Sequence, residues 1–229
     1  MEPDPNLIPG AVGDAITSPT SVGLKIGGNR LQFIDYDINI RNFKSGKGLI
    51  LYTDQLWQNI CLNKFSILNI YQCNICVDIQ ANTGGDQDNV NALQIGYAFL
   101  WAVGSNAIGL RALNKSSHFF VTFQIQYLHL QGYDPGFIGI YTTGISPIYG
   151  GGNVSGAING FNKNLISKLY FDCGTPDGIA IQSDDYIEVQ QIDYYGANIY
   201  DIPWALPMRG QNRVFMPNLI HNPYFINGT

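Results

Sequence analysis

Four kinds of side chain in this 229-residue chain have the chemistry for a site: cysteines, histidines, clustered carboxylates and aromatics in loops. The cysteines are Cys61, Cys73, Cys76 and Cys173. Cys73-Asn-Ile-Cys76 has the CxxC form of a metal or redox pair, but no second pair follows at zinc-ribbon spacing. It lies in a strand-like run, where residues three apart face opposite sides, so the thiols read as core or surface residues and no disulfide scaffold is implied. Of the three histidines, His118 and His129 flank one strand, too far apart to share a metal, and His221 sits in a Pro-rich tail. General acid–base work by histidine has little support.

Carboxylates gather twice. Asp86 and Asp88, in Asp86-Gln-Asp-Asn89 after two glycines, offer hard oxygens to a divalent cation such as Ca²⁺ but lack the downstream Glu of an EF-hand. A solvated acidic loop is the simpler reading. Asp184, Asp185 and Glu188 form the second group, the one a carboxylate hydrolase would draw on. No GxSxG elbow and no GxxxxGK[ST] loop occur, and Tyr149-Gly-Gly-Gly-Asn-Val-Ser-Gly156 reads as a surface loop. The chain is therefore expected not to be an enzyme, with no cofactor beyond a divalent cation at Asp86 and Asp88. The loop aromatics Tyr133, Phe137 and Tyr149 are candidates for surface attachment, because their rings can stack on sugars.

The elements that hold these residues are strands. Ile34, Tyr36, Ile38 and Ile40 alternate with Asp35, Asp37 and Asn39, a period-2 signal. Cys73, Ile75, Val77 and Ile79 repeat it. Leu93, Ile95, Tyr97, Phe99, Trp101 and Val103 read as one apolar face, and Phe119, Val121, Phe123, Ile125 and Tyr127 as another. Weaker strands are expected at 166–173, 179–182 and 186–193. One stretch, Thr53 to Asn63, is helix-like, with Asp54 as its cap. Asn82-Thr-Gly-Gly85, Asp134-Pro-Gly136 and Pro176-Asp-Gly178 are turn signals. No internal repeat and no domain linker is evident. Strands of this length with long loops predict a two-sheet antiparallel sandwich. Residues 1–30, rich in proline and glycine, read as an N-terminal arm, and 31–229 as a single domain.

Composition narrows the partners. Lys and Arg number 12 against 17 Asp and Glu, only 13% of the chain, while 45% is hydrophobic. Disorder and helical bundles are excluded as classes. A net charge of −5 argues against a free-standing nucleic-acid binder. So few charges suggest that much of the surface is covered by other chains, since charge is depleted at interface cores. No basic and apolar leader opens the sequence, and no apolar run is long enough for a membrane helix, so no membrane partner is expected.

Between Arg30 and about Lys115 the chain resembles the capsid proteins of parvoviruses, the invertebrate densoviruses above all. The segments that carry this are Leu31-Gln-Phe-Ile-Asp-Tyr-Asp-Ile-Asn-Ile40, then Leu49-Ile-Leu-Tyr-Thr-Asp-Gln-Leu-Trp57-Gln-Asn-Ile60 with Phe65-Ser-Ile-Leu68 and the strand through Ile79, and last Ala98 to Asn114. The chain is shorter than a usual member, its 81–92 insertion departs from the pattern, and the His-Asp pair of the family's phospholipase segment is absent.

The resemblance implies an all-β, antiparallel eight-stranded jelly-roll sandwich with long connecting loops. It implies a homo-oligomeric icosahedral shell enclosing viral single-stranded DNA, found in the virion and assembled in the nucleus of the host cell. Gly104, Ser105, Asn106 and Gly109 would correspond to the ribbon lining the fivefold pore, although an ordinary hairpin loop fits them equally. Surface loops would meet a host-cell receptor, a glycan among the candidates. The alternative is a trimeric lectin-like receptor-binding module of a virus or phage.

Overall fold

The protein is described from a computed structural model. It covers residues 17–27, 31–32, 35–53, 59–61, 63–81, 89–114, 121–143, 164–183, 187–196 and 208–209. These residues form strands and turns with no helix among them. The strands, in chain order, are β1 (Val22–Gly27), β2 (Leu31–Gln32), β3 (Asp35–Arg41), β4 (Lys47–Thr53), β5 (Asn59–Cys61), β6 (Lys64–Cys73), β7 (Ile75–Ala81) and β8 (Asn89–Ala102). They continue with β9 (Ile108–Asn114), β10 (Val121–Gly132), β11 (Ile138–Thr143), β12 (Leu165–Cys173), β13 (Ile179–Ser183), β14 (Glu188–Gly196) and β15 (Met208–Arg209).

Every strand pairing is parallel. One sheet runs β1-β4-β7-β9-β11-β13-β15. The other runs β14-β12-β10-β8, after which β6 and then β3 continue beside one part of β8, and β5 and then β2 beside its start. From β3 on, the chain passes from one sheet to the other and back, each circuit lying on the last: a two-sheet parallel β-solenoid. The expected antiparallel jelly roll is thus overturned. The alternation that locates a strand says which residues share a face and nothing about which strand lies alongside. The helix expected over Thr53–Asn63 is also corrected, since Asn59–Cys61 is strand β5.

Stacking supplies the core. Leu49, Val77, Leu110, Ile140 and Ile181 align in one column of the first sheet, all buried, although successive members are 28 to 41 residues apart in number. Facing them from the second sheet are Leu68, Ala98, Leu128 and Leu169 in one column and Ile70, Leu100, Leu130 and Phe171 in the next. Each circuit closes its apolar face only on its neighbours, as solenoid repeats do. The segment read as an arm contributes β1, paired with β4.

The strands depart from strict alternation at fixed columns. In the second sheet the ladder passes over Ser66, Gly96, Gln126, Ser167 and Gln190. Phe65, Ile95, Ile125, Ile166 and Val189 point inward just before that residue. The next inward residue comes three positions later, so two successive residues face out. One extra residue inverts which face every later side chain takes. β3 lacks the insertion, and the register shifts there, between Tyr36 and Asp37. In the first sheet the complementary device puts two residues in succession inward, the first of them small: Gly48, Cys76, Gly109, Gly139 and Ala180. A Cβ on Gly109 would stand 2.6 Å from Leu130 Cδ2 and 2.7 Å from the Gly139 carbonyl oxygen, so only hydrogen fits.

The corners leading from the second sheet to the first are short: 42–46, Asn74 alone, 103–107, 133–137 and 174–178. From Asn74 on, an amide and two carboxylates tie each corner to the next. The Gly104 N–H donates to Asp134, the Gly136 N–H donates to Asp177 Oδ2 at 2.8 Å, and Asn74 Nδ2 donates to the Val103 carbonyl at 3.3 Å. Gly104 takes φ +95°, a left-handed conformation that suits glycine.

Candidate binding surface

The inverted alternation has one large consequence. Tyr97, Phe99 and Trp101 were expected to share a face with Leu93 and Ile95. Instead Leu93 and Ile95 point into the core, while the three aromatics stand on the outer face. The same holds for Tyr127 against Phe123 and Ile125. Register then assembles three outward columns. They are Asp37–Ile67–Tyr97–Tyr127–Lys168–Gln191, Asn39–Asn69–Phe99–His129–Tyr170–Asp193, and Arg41–Tyr71–Trp101–Gln131–Asp172–Tyr195. At strand and residue spacings of β-structure the face measures roughly 24 by 13 Å.

The rings hold one another. Tyr97 and Tyr127 are stacked with centroids 5.3 Å apart and planes 8° from parallel. His129 meets Phe99 and Tyr170 edge-on at 4.5 and 4.6 Å, and Tyr71 tilts against Phe99 at 5.0 Å. Lys168 lies over the Tyr127 ring at 5.9 Å and pairs with Asp193 at 2.9 Å. Such cross-strand contacts hold the rings against one another. Ile67, Tyr97, Tyr133 and Tyr195 are 44%, 40%, 45% and 58% exposed.

Polar groups are interleaved at one edge of the face. Gln131 Nε2 donates to the Tyr133 hydroxyl at 2.5 Å, and that hydroxyl donates to Asp172 Oδ2 at 2.7 Å. Burial, and then the Asp172 carboxylate that accepts its hydrogen bond, raise the Tyr133 phenol above its ordinary range. Burial likewise raises Tyr97 and Tyr170. Burial lowers His129, against the pull of Asp172. Near neutrality these groups act as hydrogen-bonding sites on a surface with few net charges.

The residues singled out from sequence are scattered by the fold. Tyr133 stands at the edge of the aromatic face. Phe137 is buried and stacked on Phe171, centroids 5.5 Å apart, so it cannot contact a receptor. Gly104, Ser105 and Asn106 form a corner between β8 and β9, and Gly109 packs inward on β9. They make neither a hairpin nor a single loop. Asp86, Asp88, Tyr149, Asp184, Asp185, His118 and His221 lie outside the described residues, and Glu188 begins β14. Among the described residues no three His, Cys, Asp or Glu side chains gather to hold a metal.

The CxxC pair does not straddle a strand. β6 ends at Cys73, the chain turns at Asn74, and both thiols enter the core. Burial pushes the Cys73 thiol up to about 11 and raises Cys76 well above its usual value. Since the thiolate is the reactive form, a thiol reagent at pH 8 should modify neither cysteine in the native protein and both in denaturant. Rapid native labelling at either would contradict the packing.

The aromatic columns were within reach of the sequence. Gln94-Ile-x-Tyr-x-x-Leu100 recurs thirty positions on as Gln124-Ile-x-Tyr-x-x-Leu130, and Ile108-Gly-Leu as Ile138-Gly-Ile. That period is the signature of a stacked repeat.

What the fold and this surface define is a class: a parallel β-solenoid presenting a flat aromatic and polar face. No protein-family model, curated protein or solved structure matches the chain.

Proposed function

We propose that the chain is a recognition module whose outer face on the second sheet binds glycans. The observation that supports this most is the continuous set of aromatic and amide columns crossing β6, β8, β10 and β12. A sugar presents C–H patches flanked by hydroxyls, and it is matched by rings bordered with hydrogen-bonding tips. Tyrosines offer both at small entropic cost. Preformed contacts between neighbouring rings reduce the ordering needed on binding. The length of the face across its strands suits an extended oligosaccharide.

This develops the lectin-like alternative. The shell-forming reading implies a jelly roll, which this fold does not have; the low charge and the pattern resemblance are what support it.

The test is an array of neutral, sialylated and sulfated oligosaccharides, probed with the wild-type chain and with the Tyr97→Ala/Tyr127→Ala variant. Aromatic anchors of this kind carry about 2 kcal/mol or more when truncated, so the variant should bind at least about tenfold more weakly. Circular dichroism should be unchanged, as both rings lie outside the core. If no oligosaccharide is retained, or the variant retains it equally, the reading fails. A particle of megadalton mass in the same preparation would instead point to a face covered by neighbouring copies.

A further inference from the structure

The described part of the aromatic face contains two buried polar atoms with no hydrogen-bond partner: Asp172 Oδ1 and His129 Nε2. Their residues are diagonal neighbours on adjacent strands. His129 pairs in register with Tyr170, which places Asp172 on the diagonal, and the Asp172 charge acts on the imidazole. The Asp172 residue is only 8% exposed. Its other oxygen is taken by the Tyr133 hydroxyl, itself oriented by Gln131. Two exposed tyrosines flank the spot: Tyr133, whose ring lies against Gly174, and Tyr195, the register partner of Asp172.

The chemistry of the two atoms narrows what completes them. A carboxylate oxygen only accepts. A neutral imidazole nitrogen accepts in one tautomer and donates in the other. A hydroxyl satisfies both requirements, since it donates and accepts. Adjacent hydroxyls on one sugar ring offer two such groups together. An anionic sugar is disfavoured, because the Asp172 carboxylate has no ion pair among the described residues, whereas Asp193 is matched by Lys168.

We infer that Asp172 and His129 form the anchoring subsite of the glycan surface, taking neighbouring hydroxyls of a neutral sugar. Tyr133, whose hydroxyl holds the other Asp172 oxygen, borders this subsite. This rests on the glycan-binding reading and adds where the first sugar sits and of what class it is. In the free protein both atoms are screened from solvent. Tyr133 is held by its hydroxyl contacts and its packing on Gly174.

The test pairs protein and ligand changes. The probe is the neutral oligosaccharide that the array retains most tightly, together with its single-deoxy analogues. A hydrogen bond to a charged group implies that one analogue binds the wild type about tenfold to a hundredfold more weakly. In Asp172→Ala that same deoxygenation should cost nothing further, because the hydroxyl has already lost its partner. Asp172→Asn keeps the shape and should show an intermediate penalty, which guards against a folding defect in the alanine variant. If the wild type binds and Tyr97→Ala/Tyr127→Ala abolishes binding, yet every deoxy penalty survives in both Asp172 variants, the anchor is wrong and the wider reading stands. If a sialylated or sulfated ligand is preferred over all neutral ones, the assignment of sugar class is overturned. If the wild type binds no glycan, both fail together.

Discussion

Truncating Phe171 to alanine should lower the unfolding free energy by about 3–5 kcal/mol, the cost typical of removing a buried aromatic. Phe171 is fully buried on β12, beside Leu130 of β10 in register. Its ring lies nearly parallel to that of Phe137, 5° between planes, and Phe137 closes the corner that leads into β11. A Cβ on Gly139 would come within 2.9 Å of Phe171 Cε2, so the ring also fills the space left by that glycine. One side chain thus joins the second sheet, a corner and the first sheet. Close packing leaves little room for collapse around the void. In a stack each circuit is held by its neighbours, so the loss should appear first as faster amide exchange in β12 and β13, ahead of β7 and β8. Denaturant titration gives the magnitude. A loss below 1 kcal/mol would mean that the Phe137–Phe171 pair is not a core element.

The second large effect is expected at Asp78, on the outside of the first sheet. Its side chain is completely shielded. Arg111 donates to it through Nε at 2.8 Å and Nη2 at 2.7 Å, Lys47 Nζ lies at 2.6 Å, and Gln80 Nε2 donates at 2.6 Å. Burial works to raise the carboxyl, but the hydrogen bonds and charges of Arg111 and Lys47 outweigh it and hold it below its ordinary 3.8. Asp78→Asn strands two cations beside each other. Removing one partner of a buried ion pair costs about 3–5 kcal/mol; since the cations retain some exposure, the lower end is expected. The pH dependence has a definite sign. The native carboxyl binds its proton less readily than the unfolded one, so its contribution is complete above the unfolded value. It is lost as pH falls through the native value. Wild type should therefore lose stability on going from pH 5 to pH 3 more steeply than Asp78→Asn. Parallel curves would show that the cluster does not carry the acid sensitivity.

How much of this could be read from residues alone follows from what each signal encodes. Strand positions were legible in part: the Ile38 region, Val77 to Ile79 and the long run through Leu100 fall where alternation puts them, and β12 to β14 where weaker strands were expected, but β9 and β11 were not read as strands. Pairing was not legible, because Leu49 and Val77 touch only through register set by an intervening circuit. The single-residue corner at Asn74 hid a boundary, so β6 and β7 read as one strand and the CxxC thiols as opposed. The inserted residues at Gly96 and Gln126 hid the site itself, since they turn Tyr97 and Tyr127 from apparent core into surface. Of the loop aromatics, Tyr133 stands at the surface and Phe137 in the core, stacked on Phe171.

The most direct test of the glycan-binding account is a calorimetric titration of the best-retained neutral oligosaccharide into wild type and into Tyr97→Ala/Tyr127→Ala. The account predicts saturable binding by the wild type, weakened at least about tenfold in the variant with its fold intact. Equal binding by both proteins, or none by the wild type, would contradict it.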